Sequence, residues 1–408
     1  MEWISESRIE MPHKLQQYKA ELQDELIQIL DYWMKYTLDE KNGGFYGSVN
    51  RNNEPDVNAA KGIVMVSRIC WSFSAAYCFN KQPQYYATAE RAFNYIFDHF
   101  IDREFGGVFW SVDTKGKMLD GKKQIYGLSF CIYGLTEFYK ISRNPTALNL
   151  ASDLHNFIEE KSFDPVNNGY AEAFARNWQE IADLRLSEKD NNERKTANTH
   201  LHIIEAYANL YTVWPKEKLK ERIENLLQLF QQHFINKEHD HLNLFFDDAW
   251  NLRSSLQSYG HDIEAAWLLQ HCARLIREPS LVQQFNLLGI SLTNAAAEGL
   301  DTDGGLWYEY EPANKHLIAE KHSWPQAEAM LGFYNAYQLT GEHSYLIQSL
   351  QSWEFIKKYI KDEAKGEWFW GIHNDHSVMQ KEKAGFWKCP YHSSRALLEI
   401  MNRIDQTN

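Results

Sequence analysis

Three histidines in three separate stretches carry most of the chemistry in this chain: His202 in NTHLHIIEAY, His261 in YGHDIEAAW and His392 in CPYHSSRALLE. Imidazole takes up and releases protons near neutral pH, so three of them brought together would make an acid–base centre. Each falls just inside a helical run. The matching points of other runs hold Arg68 and Trp71 in SRICW, Tyr126 in QIYGLSF, Asn198 ahead of His202, and Trp324 in HSWPQAEAM. Asn198 and His202 are four apart and share a helix face; His261 and Glu264 are three apart and share another. Taken singly, each has a structural reading, a hydrogen-bonded helical histidine or a core tryptophan. Their coincidence at one phase of different runs points instead to a polar cavity for a sugar-like small molecule. His200 lies two residues from His202, must point elsewhere on a helix, and is expected to be structural.

The HLH and HxxE spacings also raise a metal site. Histidines at i and i+2 of a helix diverge, and no cluster of carboxylates joins them along the sequence. No metal is expected.

What must position these residues is a repeat. A glycine-then-aromatic phrase recurs as NGGFY (42–46), FGGVFW (105–110), NNGY (167–170), DGGLWYEY (303–310) and GEWFW (366–370), at intervals of about 60 residues with one gap about twice as long. In the gap, HLNLFFD (241–247) keeps the aromatics and loses the glycines, so six units fill the chain. Glycine permits a tight turn and aromatics favour a short extended strand. Between phrases there is room for two helices, and apolar residues recur near i, i+3, i+4 in segments such as QYYATAERAFNYIFDHF. The expected helices run about 10–37, 59–79, 84–100, 124–142, 145–160, 194–213, 216–234, 257–276, 280–298, 323–340, 342–361 and 390–403. Twelve helices in six pairs predict an all-α (α/α)6 barrel with short β-hairpin-like loops, one domain over 1–408, its even-numbered helices lining the centre.

Composition bounds the rest. The chain is 44% apolar and 14% aromatic, enough for a large core, with no run near the roughly 18 to 20 apolar residues of a membrane span. A formal charge of −13 argues against nucleic acid as a partner. The N-terminal MEWISESRIEMPHKL has acidic residues and no apolar stretch of a secretory signal. Five widely spaced cysteines, Cys70, Cys78, Cys131, Cys272 and Cys389, fit reduced thiols. A soluble cytoplasmic monomer acting on a small molecule, without cofactor, is expected.

The sequence resembles the N-acylglucosamine 2-epimerase superfamily and, within it, the cellobiose 2-epimerases, over nearly its whole length. The phrases that carry the likeness are KGIVMVSRICWSFSAAY, NTHLHIIEAYANLY, SYGHDIEAAWLL, KHSWPQAEAMLGFYNAY and GFWKCPYHSSRALLE. The resemblance implies the same barrel and cofactor-independent epimerisation at C2 of the reducing-end glucose of β-1,4-linked disaccharides. It also implies that Arg68, His202, His261 and His392 are catalytic and that Asn198, Tyr126, Glu264, Trp324 and Trp387 surround the sugar. Members that act on mannose share the histidines, so the family is better marked than the substrate.

On that reading the sugar ring opens first, because the C2 hydrogen is acidic only beside the free aldehyde. His202 and His392 suit the opening, and His261 and His392 suit proton exchange on the two faces of C2. Arg68 would stabilise the enediolate oxygen. Glu264 would accept a hydrogen bond from an imidazole and hold its tautomer, or bind sugar hydroxyls. Trp324, Trp387 and Trp71 would face the sugar rings. An inverting glycoside hydrolase using Asp190 and Glu264 as its two carboxyl groups is the alternative from a different class, and a sugar-binding protein without activity is a weaker one.

Overall fold

The computed structural model describes residues 10–407; the expectation about the N-terminal stretch falls largely on residues 1–9, outside them. Among the described residues there are twelve α-helices: α1 (Glu10–Tyr36), α2 (Ile63–Phe79), α3 (Pro83–Tyr95), α4 (Ile125–Ser142), α5 (Pro145–Lys161), α6 (Ala197–Tyr211), α7 (Glu217–Leu229), α8 (Tyr259–Ile276), α9 (Pro279–Ala297), α10 (Ser323–Thr340), α11 (His343–Phe355) and α12 (Tyr391–Thr407). Three outer helices end in a π-helical turn, at 96–100, 230–234 and 356–360. The expected helices at 84–100, 216–234 and 342–361 each span such a pair.

Packing sorts the helices into two rings. α2, α4, α6, α8, α10 and α12 each touch the next, and α12 returns to α2. The odd helices lie outside, α3 on α2, α5 on α4, α7 on α6, α9 on α8, α11 on α10 and α1 on α12. This is the (α/α)6 barrel. Sequence dictates the sorting. Outer α7, EKLKERIENLLQL, buries Leu219, Ile223, Leu226, Leu227 and Leu229 and is polar at its other positions. Inner α2, IVMVSRICWSFSAAYCF, is buried on every side through most of its length and could not lie on a surface.

The six phrases close six tight turns through isolated antiparallel bridges: Leu38 with Phe45, Ile101 with Val108, Phe163 with Tyr170, Ile235 with Leu242, Leu300 with Leu306 and Lys361 with Trp368. The fourth confirms the degenerate copy near 240. There Asp240 adopts the left-handed φ of 60° that Asn168 takes at 66° in the third turn and glycine takes elsewhere, as with Gly106 at 76° and Gly304 at 89°.

A second repeat ties each turn to the next inner helix. Lys61, Lys123, Lys195, Lys321 and Lys383 reach back to Asp39, Asp102, Asp164, Asp301 and Asp362 at 2.8, 2.7, 2.9, 2.6 and 2.6 Å. All five ammonium groups are buried. The fourth unit has Asn236 and Gln257 at the corresponding points and instead joins His241 to Asp262 of α8, Nδ1 to Oδ2, at 2.7 Å. Short strands before the inner helices pair with strands after the following phrase, as Lys61–Gly62 does with Ser111–Val112, and Val49 pairs with Ala384 to complete the circuit. This rim surrounds the N-terminal end of the inner ring.

Candidate active site

Because the inner helices all begin at the rim, their first turns converge there. They line a cavity of about 510 Å³ that includes Arg68, Tyr126, Asn198, His202, His261, Glu264, Trp324, Trp387 and His392. Counting from each helix start, the sixth residues of α2, α4, α6, α8 and α10 are Arg68, Phe130, His202, Glu264 and Glu328. The second residues of α4, α6, α10 and α12 are Tyr126, Asn198, Trp324 and His392. The three histidines therefore do not share one level, as a common phase predicted: His202 lies at the sixth position, His261 at the third and His392 at the second.

Each imidazole has a different partner at Nδ1. That of His202 is 2.8 Å from Glu205 Oε2, and that of His392 is 2.6 Å from Glu328 Oε1. That of His261 is 2.8 Å from Ser258 Oγ. Burial pushes His261 down to about 4, with His202 adding to the effect, and burial pushes His392 down to about 3 against the pull of Glu328. Both are neutral at pH 7. Trp324 packs against both, its ring centroid 4.9 Å from His261 and 5.4 Å from His392.

Arg395 organises the floor. Its Nη2 is 2.7 Å from Glu264 Oε1 and 2.7 Å from Glu328 Oε1, and its Nη1 bonds Glu205 Oε1 and the Tyr391 hydroxyl. Burial raises the pKa values of these carboxyls and the guanidinium opposes it, taking Glu205 and Glu328 down to about 2. Glu264 is driven up, by burial first and then by Glu328. One proton shared over two facing carboxyls produces that split.

Arg68 differs from Arg395. Its Nη2 donates to Tyr126 Oη at 2.7 Å, its Cζ lies 4.1 Å from the Phe130 ring centroid, and no carboxylate pairs with it among the described residues. It offers its charge to whatever enters the cavity.

A family model for N-acylglucosamine 2-epimerase (GlcNAc 2-epimerase) matches residues 43–396. The chain belongs to this family. It is similar to the cellobiose 2-epimerase of Bacteroides fragilis, 46% identical over 385 residues, covering 94% of this chain and 98% of that one. Among solved structures, the cellobiose 2-epimerase of Bacillus thermoamylovorans superposes with a TM-score of 0.91 at 37% identity, over 95% of this chain and 100% of the other. That of Spirochaeta thermophila gives 0.91 at 36%, over 97% and 98%.

Within this family member, three expectations need correction. Trp71 does not line the cavity: it is the ninth residue of α2, below the site, stacked on Tyr133 at 5.2 Å and edge-on to Tyr391 at 5.5 Å. Glu264 does not hold an imidazole. Arg395 occupies its Oε1, His392 Nδ1 stands 3.9 Å away, and Ser258 serves His261. Thirdly, carboxylates do cluster with a histidine, since ligand atoms of Glu264, Glu328 and His392 lie within 4.8 Å of one another. Arg395 already supplies the cation between the two glutamates.

Asp190 lines the cavity mouth, its Oδ2 accepting from Ser187 N and Oγ at 2.9 Å. His200 faces away: its Nδ1 is 2.7 Å from the Thr196 carbonyl, and its Nε2 accepts from Tyr170 N at 3.0 Å. The residues missed were Glu205, Ser258, Glu328, Tyr391 and Arg395. A signal existed for two of them, because HIIE and HSSR repeat the HDIE spacing and place Glu205 and Arg395 one turn beyond His202 and His392.

Proposed function

We propose that the protein epimerises C2 of the reducing-end glucose of β-1,4-linked disaccharides, converting cellobiose to glucosyl-mannose and lactose to epilactose. The observation that carries this reading is the pair of neutral imidazoles in contact with Trp324 at the cavity wall, beside an arginine without a carboxylate. Two bases flanking one carbon are what inversion by proton exchange requires. The cellobiose 2-epimerase activity named for the relatives supports it.

The chemistry follows from the geometry. Glu205 is ionised and can only accept, so His202 donates Nδ1–H to it and keeps a basic Nε2. With His392, it moves the C1 hydroxyl and ring-oxygen protons that open the pyranose. The aldehyde then acidifies C2–H. His261 and His392 exchange the proton on opposite faces, and Arg68 stabilises the enediolate oxygen. Trp324 and Trp387 supply apolar surface for the C–H faces of the sugar. We also read the chain as one catalytic domain, supported by the α12–α2 closure of the ring. A cytoplasmic monomer is supported by five free thiols, four of them buried, and by the small number of exposed large apolar side chains. No helix among the described residues is long and apolar enough to cross a membrane.

Product analysis by NMR tests this. Purified protein with a chelator, given cellobiose, lactose, glucose or mannose, is expected to yield the C2 epimer of the disaccharides with the glycosidic bond intact. Free monosaccharides would show hydrolysis instead, and unchanged sugar would show binding alone. Activity restored only by a divalent ion would overturn the metal-free mechanism.

A further inference from the structure

We propose that Ser258 is a positioning residue that fixes the tautomer of His261, so that the two imidazoles in contact with Trp324 present opposite hydrogen-bonding character to the cavity. The consequence for catalysis rests on the epimerase reading above; the tautomer itself does not.

Ser258 is the N-cap of α8, where a serine ordinarily accepts a hydrogen bond from a backbone N–H two or three residues on. Here no such bond forms. On α6 the N-cap Thr196 does form it, accepting from Thr199 N. The Ser258 hydroxyl is turned instead to His261 Nδ1 at 2.8 Å, and Ser258 is buried. The residue whose N–H would have been capped is His261 itself, at the third helical position, so its ring has replaced its backbone as the partner.

The direction of the bond follows from satisfaction. If Ser258 accepted from Nδ1–H, its own hydrogen would be buried with no acceptor found for it, a cost of about 1–3 kcal/mol. Donation to Nδ1 uses that hydrogen and leaves the ring hydrogen on Nε2. His392 is the reverse case. Glu328 is ionised and can only accept, so His392 carries its hydrogen on Nδ1 and its lone pair on Nε2. Both rings line the cavity with Nδ1 engaged on its wall, leaving Nε2 as the free edge. At rest, His392 offers an acceptor to one side of the substrate and His261 a donor to the other. The titratable groups acting on His261 are His202 and Glu328, and neither bonds Nδ1. The hydroxyl alone selects the tautomer.

The test is nitrogen-15 NMR of the histidine-labelled full chain, with the His261 signals identified by their loss in His261→Gln. In the wild type, Nε2 is expected at the protonated and Nδ1 at the unprotonated frequency near pH 7. Ser258→Ala should move both toward averaged values, lower kcat about tenfold with KM changed less than twofold, and shift the acid limb of the kcat profile. Ser258→Thr keeps the hydroxyl and should restore signals and rate. Wild-type His261 signals in Ser258→Ala overturn the proposal, whether or not the rate falls. If the wild type proved to have no epimerase activity, the function reading would fail while the NMR result still decided the role of Ser258.

Discussion

A single nitrogen, Nη2 of Arg395, lies 2.7 Å from one carboxylate oxygen of Glu264 and 2.7 Å from one of Glu328, and that same Glu328 oxygen holds His392 Nδ1. The guanidinium therefore sets both the charge balance of the floor and the surroundings of the His392 imidazole. Arg395→Met would leave buried carboxylates uncompensated, and a loss of about 3–5 kcal/mol is expected from unfolding by denaturant. Turnover should fall at least a hundredfold. In Arg395→Ser, the Glu264, Glu328 and His392 cluster loses its built-in cation, so millimolar Zn²⁺ should raise Tm there and leave the wild type unmoved.

The histidines separate by their partners. His261→Ala and His392→Ala are each expected to lower kcat by at least about a hundredfold, the lower range for a positioned acid–base group. His200→Ala removes a ring that bridges the Thr196 carbonyl and Tyr170 N–H. It should cost about 1–3 kcal/mol of stability and spare kcat. A kcat loss equal to that of His261→Ala, with stability intact, would refute that division.

Much of this was legible in the sequence, but not evenly. The helical runs and the six phrases give the barrel because a closed repeat constrains every copy alike. The first-turn residues could be assigned to one end for the same reason. What stayed hidden was pairing across the ring. Nothing in the spacing of His261 and Glu264 says that Arg395, 131 residues on, takes the carboxylate. Trp71 was misplaced because phase gives a face, while depth along the barrel depends on where each helix starts. The lysine–aspartate rim was readable, since AKG, KKQ, RKT, EKH and EKA recur with the repeat, yet its meaning needs the burial that only the fold supplies.

The two tryptophans assigned together should part in kinetics. Trp324 touches both His261 and His392 and lines the cavity, so Trp324→Ala is expected to raise KM and lower kcat together. Trp71 packs on Tyr133 and Tyr391 below the cavity. Trp71→Ala should instead cost about 3–5 kcal/mol of stability through the cavity left in the core, and Trp71→Phe should leave KM near the wild-type value.

The pH dependence of stability has an identifiable contributor. Glu172 is buried, accepts from the Thr196 and Thr199 hydroxyls at 2.7 Å, and is raised by burial to about 8. Its folded value exceeds the unfolded one near 4.5, so the native state keeps a proton that the unfolded chain releases. The stability this group contributes is therefore full below about pH 4.5 and is lost as pH rises toward 8, at about 1.4 kcal/mol per pH unit. Glu172→Gln, which mimics the protonated acid, should flatten the decline between pH 5 and pH 8 in thermal melts. An unchanged slope would show that Glu172 is not the group responsible.

Solvent hydrogen gives the most direct view of the mechanism. If one imidazole removes the C2 proton and the other returns one from the opposite face, epimer formed in D2O should carry deuterium at C2. Because the base that removes the proton is not the one that returns it, the original proton is not put back directly. Label in early product should therefore be nearly complete. Delivery to C1 would instead mark an aldose–ketose side reaction, distinguishable in the same proton spectrum. Retention of the original hydrogen at C2 would mean oxidation and reduction or rearrangement of the carbon skeleton, and the enediolate would have to be abandoned. Because exchange and inversion are read from one sample, the His261→Ala and His392→Ala variants can also be compared for exchange without inversion. A variant that keeps one base should wash deuterium into recovered substrate more readily than it forms epimer, and which variant does so identifies the face from which the proton leaves.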